Sequence, residues 1–202
     1  MIRNFVFDMG GVLLRFDPKL FMEREGISPE DQALIARRVY LTLEWARMDR
    51  GTLTEEEALP VFCSRLPERL HEPVRRLVME WDQPEIIPVP GMADLVRELK
   101  ARGYGIYLLS NASSRLHDYF PRIPGSECFD GIMVSGDEKL VKPQPEIYRT
   151  LFQRFGLKAE ECFFVDDLPP NIEGAYICGM AGFVFHGDTA ELRQALEEQG
   201  LL

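Results

Sequence analysis

Three short apolar runs in this chain each stop at a polar cluster. Residues 4–7 (Asn-Phe-Val-Phe) end at Asp8, residues 104–109 end at Ser110-Asn111, and residues 162–165 (Cys-Phe-Phe-Val) end at Asp166-Asp167. Apolar runs this short and continuous suit strands buried on both faces. Residues 131–134 and 181–185 read the same way. Between and after these runs lie stretches with helical character at 92–102, 113–120, 145–155, 170–179 and 189–199. Strands alternating with helices predict an α/β fold, a Rossmann-like parallel sheet with helices on both faces.

From about residue 15 to residue 88 the pattern is helical, with no convincing strand. Ser28-Pro29-Glu30-Asp31 offers an N-cap with proline in the first turn. Thr54-Glu55-Glu56-Glu57 has the spacing of a capping box. The expected organisation is a core of residues 1–14 and 89–202, interrupted after its first strand by a helical-bundle cap at 15–88.

Bulk composition narrows the function. The 202 residues are 46% hydrophobic and 28% charged, a soluble globular profile. The net charge of −10 opposes broad attraction to nucleic acid or anionic membrane, so neither is an expected partner. Any anion site must be made locally positive. Cys63, Cys128, Cys162 and Cys178 show no CxxC spacing and sit in apolar contexts, which predicts reduced, buried thiols. The stretch MIRNFVFDMGGVLL is too soon interrupted by Asp8 to be a signal peptide or a spanning helix, and a cytoplasmic location is expected. His71, His117 and His186 are scattered without ligand spacing.

In an open parallel sheet, ligands bind beyond the carboxyl ends of the strands. Asp8, Ser110-Asn111 and Asp166-Asp167 are therefore expected to converge, and Lys142, in Val-Lys-Pro-Gln-Pro, can join them. Carboxylates, a hydroxyl and a lysine suit a cation and an anion held together. Phosphoryl transfer needs an in-line nucleophile and neutralised equatorial oxygens. A carboxylate such as Asp8 can be that nucleophile. Magnesium prefers oxygen ligands, which Asp8, Asp167 and the Gly10 carbonyl can supply. Ser110 and backbone N–H groups around Asn111 can bind phosphate oxygens, with Lys142 as a point charge. Plainer readings exist for each group: Asp8 as a turn former, Ser110 or Asp166-Asp167 as helix caps, Lys142 as a surface lysine.

Taken together, these residues resemble the haloacid-dehalogenase-like (HAD) hydrolase superfamily. Asp8-Met9-Gly10-Gly11-Val12-Leu13 resembles its first motif and Leu108-Leu109-Ser110-Asn111 its second. Lys142-Pro143-Gln144-Pro145-Glu146-Ile147-Tyr148 resembles the third, and Phe164-Val165-Asp166-Asp167 with Asn171 the fourth. The resemblance implies that Asp8 is nucleophile and metal ligand, that Gly10 lends its carbonyl and Asp167 its carboxylate to Mg2+, and that Ser110, Asn111 and Lys142 bind phosphate. Asp166 and Asn171 would then support these groups from behind. The helical insertion is similar to the small cap of one subfamily, which includes glucose-1-phosphate-type sugar phosphatases and the N-terminal phosphatase domain of soluble epoxide hydrolases. The implied activity is Mg2+-dependent hydrolysis of small phosphorylated metabolites through an aspartyl-phosphate. Paired caps can mediate dimers in such proteins, and the sequence leaves monomer or homodimer open.

One position departs from the family's pattern. Most of its phosphatases carry a second aspartate two residues after the nucleophile, to protonate the leaving alcohol and activate water. Gly10 stands there. General acid–base help contributes about 10²–10⁴-fold. A sugar 1-phosphate, whose anomeric hydroxyl leaves more easily, is expected to tolerate the glycine better than a 6-phosphate, and Asp17 is a candidate substitute acid. Two other functions stay open: a metal-independent haloacid dehalogenase, and a phospho-ligand binder with little turnover. In the cap, Trp45 and Arg47 admit both a cleft role and the plain roles of core and surface.

Overall fold

The computed structural model describes residues 1–83 and 86–202; residues 84 and 85, within the expected cap segment, lie outside the described residues. The strands are β1 (Asn4–Phe7), β2 (Gly105–Ser110), β3 (Gly131–Val134), β4 (Cys162–Asp166) and β5 (Ala181–Val184). They form one five-stranded parallel sheet in the order β3-β2-β1-β4-β5. Helices α1 (Pro18–Arg24), α2 (Pro29–Ile35), α3 (Leu43–Asp49), α4 (Glu55–Ser64) and α5 (His71–Met79) all fall between β1 and α6 (Met92–Ala101). The rest are α7 (Leu116–Tyr119), α8 (Ser135–Glu138), α9 (Pro145–Phe155), α10 (Pro169–Ile177) and α11 (Thr189–Glu198).

The period of two along each strand divides the core. Phe5 and Phe7 of β1 pack with Leu95, Val96 and Leu99 of α6 and with Leu192 and Leu196 of α11. Val6, pointing the other way, joins Ile147, Tyr148 and Leu151 of α9 and Ile172 and Ala175 of α10. Both faces are covered, which explains why the strands read as continuous apolar runs. β1 is central, with Phe7 opposite Leu108 of β2 and Val165 of β4. The chain segments leaving these three strands therefore emerge side by side, at one rim.

The helices of the insertion have their own apolar cluster, drawn from Phe21 to Val78. Its two connections to the sheet run against each other: Leu14 bridges Pro88, Arg15 N–H donates to the Ile87 carbonyl at 2.8 Å, and Val89 N–H to that of Leu13 at 3.0 Å. Phe16 and Trp81 pack on both this cluster and the sheet's. Both anticipated caps are present. Ser28 Oγ accepts from Asp31 N–H, and Thr54 and Glu57 form a complete capping box. Asp82, 2% exposed, adds a polar fastening. It pairs with Arg115 and Arg122, while Arg115 also donates to the Val78 and Met79 carbonyls at the end of α5. Asp82→Ala would leave this cluster without its anion, and a loss of about 3 kcal/mol in urea unfolding is expected.

Two expectations need correction. The helix anticipated over 113–120 is only the short α7, followed by a 3-10 turn at Phe120–Arg122 where Pro121 cannot continue an α-helix. The four thiols are free, but only Cys162 is buried; Cys63, Cys128 and Cys178 are half-buried, Cys128 and Cys178 at the margins of the sheet's two packed clusters. No helix among the described residues is long and apolar enough to cross a membrane.

Candidate active site

At the shared rim of β1, β2 and β4 lies a cavity of about 330 Å³. Asp8, Gly10, Ser110, Asn111, Lys142, Asp167 and Asn171 all line it. The clusters expected to converge do so.

Lys142 organises the charges. Its ammonium, with no exposed side-chain surface, contacts Asp8 Oδ1 at 2.9 Å and Asp166 Oδ2 at 2.6 Å. Burial pulls the ammonium pKa down, but the two carboxylates outweigh it and hold it above the usual lysine value. It also lies 5.3 Å from the centre of the Phe164 ring. Asn111 fixes the lysine's backbone: Lys142 N–H donates to Asn111 Oδ1 at 2.8 Å, and Asn111 Nδ2 donates to the Lys142 carbonyl at 3.0 Å. The Asn111 side chain is thus spent on positioning Lys142. One amide, with a donor and an acceptor, matches one residue's N–H and C=O, and the part of Asn111 expected to meet an anion is the backbone N–H around it, not this side chain.

Asp8 Oδ1 accepts from Met9 N–H at 2.7 Å as well as from Lys142, which leaves Oδ2 without a hydrogen bond among the described residues. Burial raises the Asp8 carboxyl pKa, Lys142 pulls it down and Asp166 pushes it up, with a net rise. Ser110 is 1% exposed, and its hydroxyl has no partner among the described residues. A free hydroxyl in a buried wall is available to a ligand.

The two motif-four carboxylates have separate surroundings. Asp166 is fully buried and saturated. Oδ1 accepts from Leu168 N–H at 2.8 Å and from Asn171 Nδ2 at 2.9 Å; Oδ2 accepts from Lys142 and from the same amide at 3.1 Å. Asp167 is half-buried with its carboxylate against Gly11, where φ is +76° and an added Cβ would meet Asp167 Oδ2 at 2.4 Å. Burial, then Asp166, raises the Asp167 pKa, with Lys142 opposing. Asn171 bonds to Asp166, and Asp166 to Lys142, whereas no other side chain holds the Asp167 carboxylate among the described residues.

Oxygen atoms of Asp8, Asp166 and Asp167 lie within 4.8 Å of one another. Three carboxylates beside one lysine leave surplus negative charge in this part of the cavity. Hard oxygen donors gathered this closely fit a divalent cation of the Mg2+ type.

Sequence reasoning missed part of the wall. Asp49 and Glu55 line the cavity, as do Phe16, Met48, Val78, Trp81 and Tyr119. Ser113 Oγ donates to Glu55. Trp45 also lines the cavity, whereas Arg47 is exposed and donates to the Thr52 carbonyl. Residues four apart share a helix face, so Trp45 carried the signal for Asp49, while Arg47, two positions on, faces elsewhere. Asp17 accepts from Lys19 and Leu20 N–H as the cap of α1 and is not in the cavity wall; that local job removes it as a substitute acid.

Comparison with known proteins agrees with this architecture. A sesquiterpene phosphatase of Aspergillus oryzae is 28% identical over 195 residues, covering 94% of each chain. An (S)-2-haloacid dehalogenase of Burkholderia cepacia is 27% identical over 194 residues, covering 90% of this chain and 80% of its own. A HAD family enzyme of Bacteroides thetaiotaomicron, crystallised with magnesium and inorganic phosphate, shares the fold with a TM-score of 0.74 at 22% identity, over 95% of this chain and 99% of that one. The family model for haloacid dehalogenase-like hydrolases matches residues 2–179. With the sheet order and the four clusters at one rim, that match identifies the chain as a member of the haloacid dehalogenase-like hydrolase family.

Proposed function

We propose that this chain is a Mg2+-dependent phosphomonoesterase acting on small organic phosphates, with Asp8 as nucleophile. The observation that carries this reading is the gathering of Asp8, Asp166 and Asp167 around the buried Lys142, in one cavity with a free serine hydroxyl. The bound ion would offset the carboxylates' charge and polarise the phosphoryl oxygens. Lys142 holds Asp8 Oδ1 and adds positive charge beside the phosphate, and the Ser110 hydroxyl donates to a phosphoryl oxygen. Asp8 attacks phosphorus, the bond to the leaving oxygen breaks, and the aspartyl-phosphate is then hydrolysed by water. Asp166 remains with Lys142 and Asn171 and keeps the lysine aimed.

Residues 15–88 act in this reading as a cap that supplies the alcohol-binding wall. Phe16 and Trp81 of this segment form a continuous aromatic surface with Tyr119 of the core, with centroids 5.1 and 5.0 Å apart along the series, and Trp45, Met48 and Val78 extend it. Such a wall rewards an alcohol with a substantial apolar part more than a bare sugar. The sesquiterpene phosphatase relative supports the same direction.

Metal-independent dehalogenation is the second reading, favoured by Gly10 and by relatives named as dehalogenases. The surplus carboxylates weigh against it, since without a cation they repel an anionic substrate. The test is a screen of apolar alkyl phosphates, sugar 1- and 6-phosphates and 2-haloacids, with Mg2+ or with EDTA. Phosphate release that falls at least about 100-fold in EDTA is expected. Halide release that survives EDTA, with no phosphate release, would replace the phosphatase reading.

A further inference from the structure

Gly10 leaves the proposed reaction without the group that usually handles the leaving-group proton, yet the cavity wall contains an acid of its own. We propose that Asp49, at the end of α3, protonates the leaving oxygen and then takes the proton of the attacking water. This assignment rests on the phosphatase reading above.

Four observations point to Asp49. It lines the same cavity as Asp8, Gly10, Ser110 and Lys142, but comes from the helical insertion and not from the sheet. Its place is fixed by contacts with the core. The Asp49 carbonyl accepts from Ser135 Oγ, Arg50 donates to Gln144 Oε1 at 3.2 Å, and Lys139 Nζ donates to the Gly51 carbonyl. The backbones approach so closely there that a Cβ on Gly51 would sit 1.9 Å from the Gly136 carbonyl oxygen. The third observation is availability: no hydrogen bond or ion pair occupies the Asp49 carboxylate among the described residues. The fourth is elimination. Glu55 accepts from Ser113, Asp17 caps α1, and burial pushes the Tyr119 phenol well above its usual value.

The surroundings suit the role. Burial first, then the charges of Glu55 and Asp8, raise the Asp49 carboxyl to about 7, with Lys142 pulling the other way. A carboxyl poised there can both give and take a proton near neutrality. As Asp8 attacks phosphorus, the P–O bond to the alcohol breaks and the alcohol oxygen takes the Asp49 proton. Water then attacks phosphorus, the P–O bond to Asp8 breaks, and the water's proton returns to Asp49. The sum is ester plus water giving alcohol plus phosphate.

Leaving-group dependence tests the assignment. Three esters are compared with Mg2+ present: p-nitrophenyl, phenyl and long-chain alkyl phosphate. The nitrophenolate needs no proton to leave, whereas the alkoxide does. In Asp49→Asn, kcat/KM for the alkyl ester is expected to fall about 10²–10³-fold while that for p-nitrophenyl phosphate stays within about threefold, phenyl lying between. Acid-quenched Asp49→Asn turning over p-nitrophenyl phosphate is expected to retain an acyl-phosphate that the wild type does not accumulate. Adding Gly10→Asp should recover the alkyl ester at least about tenfold, because a Cβ at Gly10 meets only Phe16 Cβ, at an ordinary 3.5 Å. Equal loss on all three esters, or no loss on the alkyl ester, would overturn the role of Asp49 and leave the phosphatase reading standing. A wild type inactive on all three would overturn both.

Discussion

Asp8→Asn is expected to lower phosphate release by about 10⁴-fold or more while leaving the protein at least as stable as the wild type. The amide keeps the size of the side chain. Its oxygen can still accept from Met9 N–H and from Lys142, so the contacts that hold the side chain survive. What disappears is the attacking charge, and with it any acyl-phosphate in acid-quenched samples. The gain in stability follows from linkage. Burial, partly opposed by Lys142 and reinforced by Asp166, raises the Asp8 carboxyl from 3.8 to about 6. A carboxyl whose folded pKa is raised holds its proton more tightly in the folded state, so its contribution is full below pH 3.8 and lost as pH rises through about 6. In EDTA, urea midpoints of the wild type should therefore decline across that window relative to those of Asp8→Asn. An Asn variant that keeps more than a hundredth of wild-type turnover would mean that Asp8 is not the nucleophile.

The sheet and the core of the site are legible in the sequence for one physical reason. Strands buried on both faces tolerate no polar residue until they end, so Phe5–Phe7 and Phe163–Val165 announce both the strand and the rim at which Asp8 and Asp167 emerge. The wall is less legible. Asp49 and Glu55 are two of 33 acidic residues and stand at helix ends, where acids are ordinarily solvated. Only the seating of α3 on the Ser135–Lys139 turn makes Asp49 part of a cavity. Asn111 illustrates a second limit. An amide serves a phosphate or a backbone equally well, and only the fold shows that this one clamps Lys142. Trp45 reads as core or cleft because it is both: it packs on the insertion's apolar cluster and borders the cavity.

Lys142→Met should damage both stability and turnover, and the two losses should respond differently to a second substitution. Methionine, unbranched and one atom shorter than lysine, fills most of the same buried slot, so packing changes little. The charge change is severe. Asp8 and Asp166 would share a buried region with no cation, and Asp166 would depend on Asn171 and Leu168 N–H alone. Removing one partner from such a cluster costs about 3–5 kcal/mol. Turnover should fall about 10³-fold or more, because the positive charge that steadies Asp8 and faces the phosphate is gone. Adding Asp166→Asn removes one of the stranded carboxylates. The double variant should then be more stable than Lys142→Met alone, with a coupling of about 2 kcal/mol in the cycle. Its turnover should stay low, since no cationic side chain has been restored to Asp8. Recovery of stability without recovery of activity would separate the two jobs of Lys142: balancing Asp166 behind the site, and serving Asp8 and the phosphate in front of it. Recovery of both would assign the lysine to the fold alone.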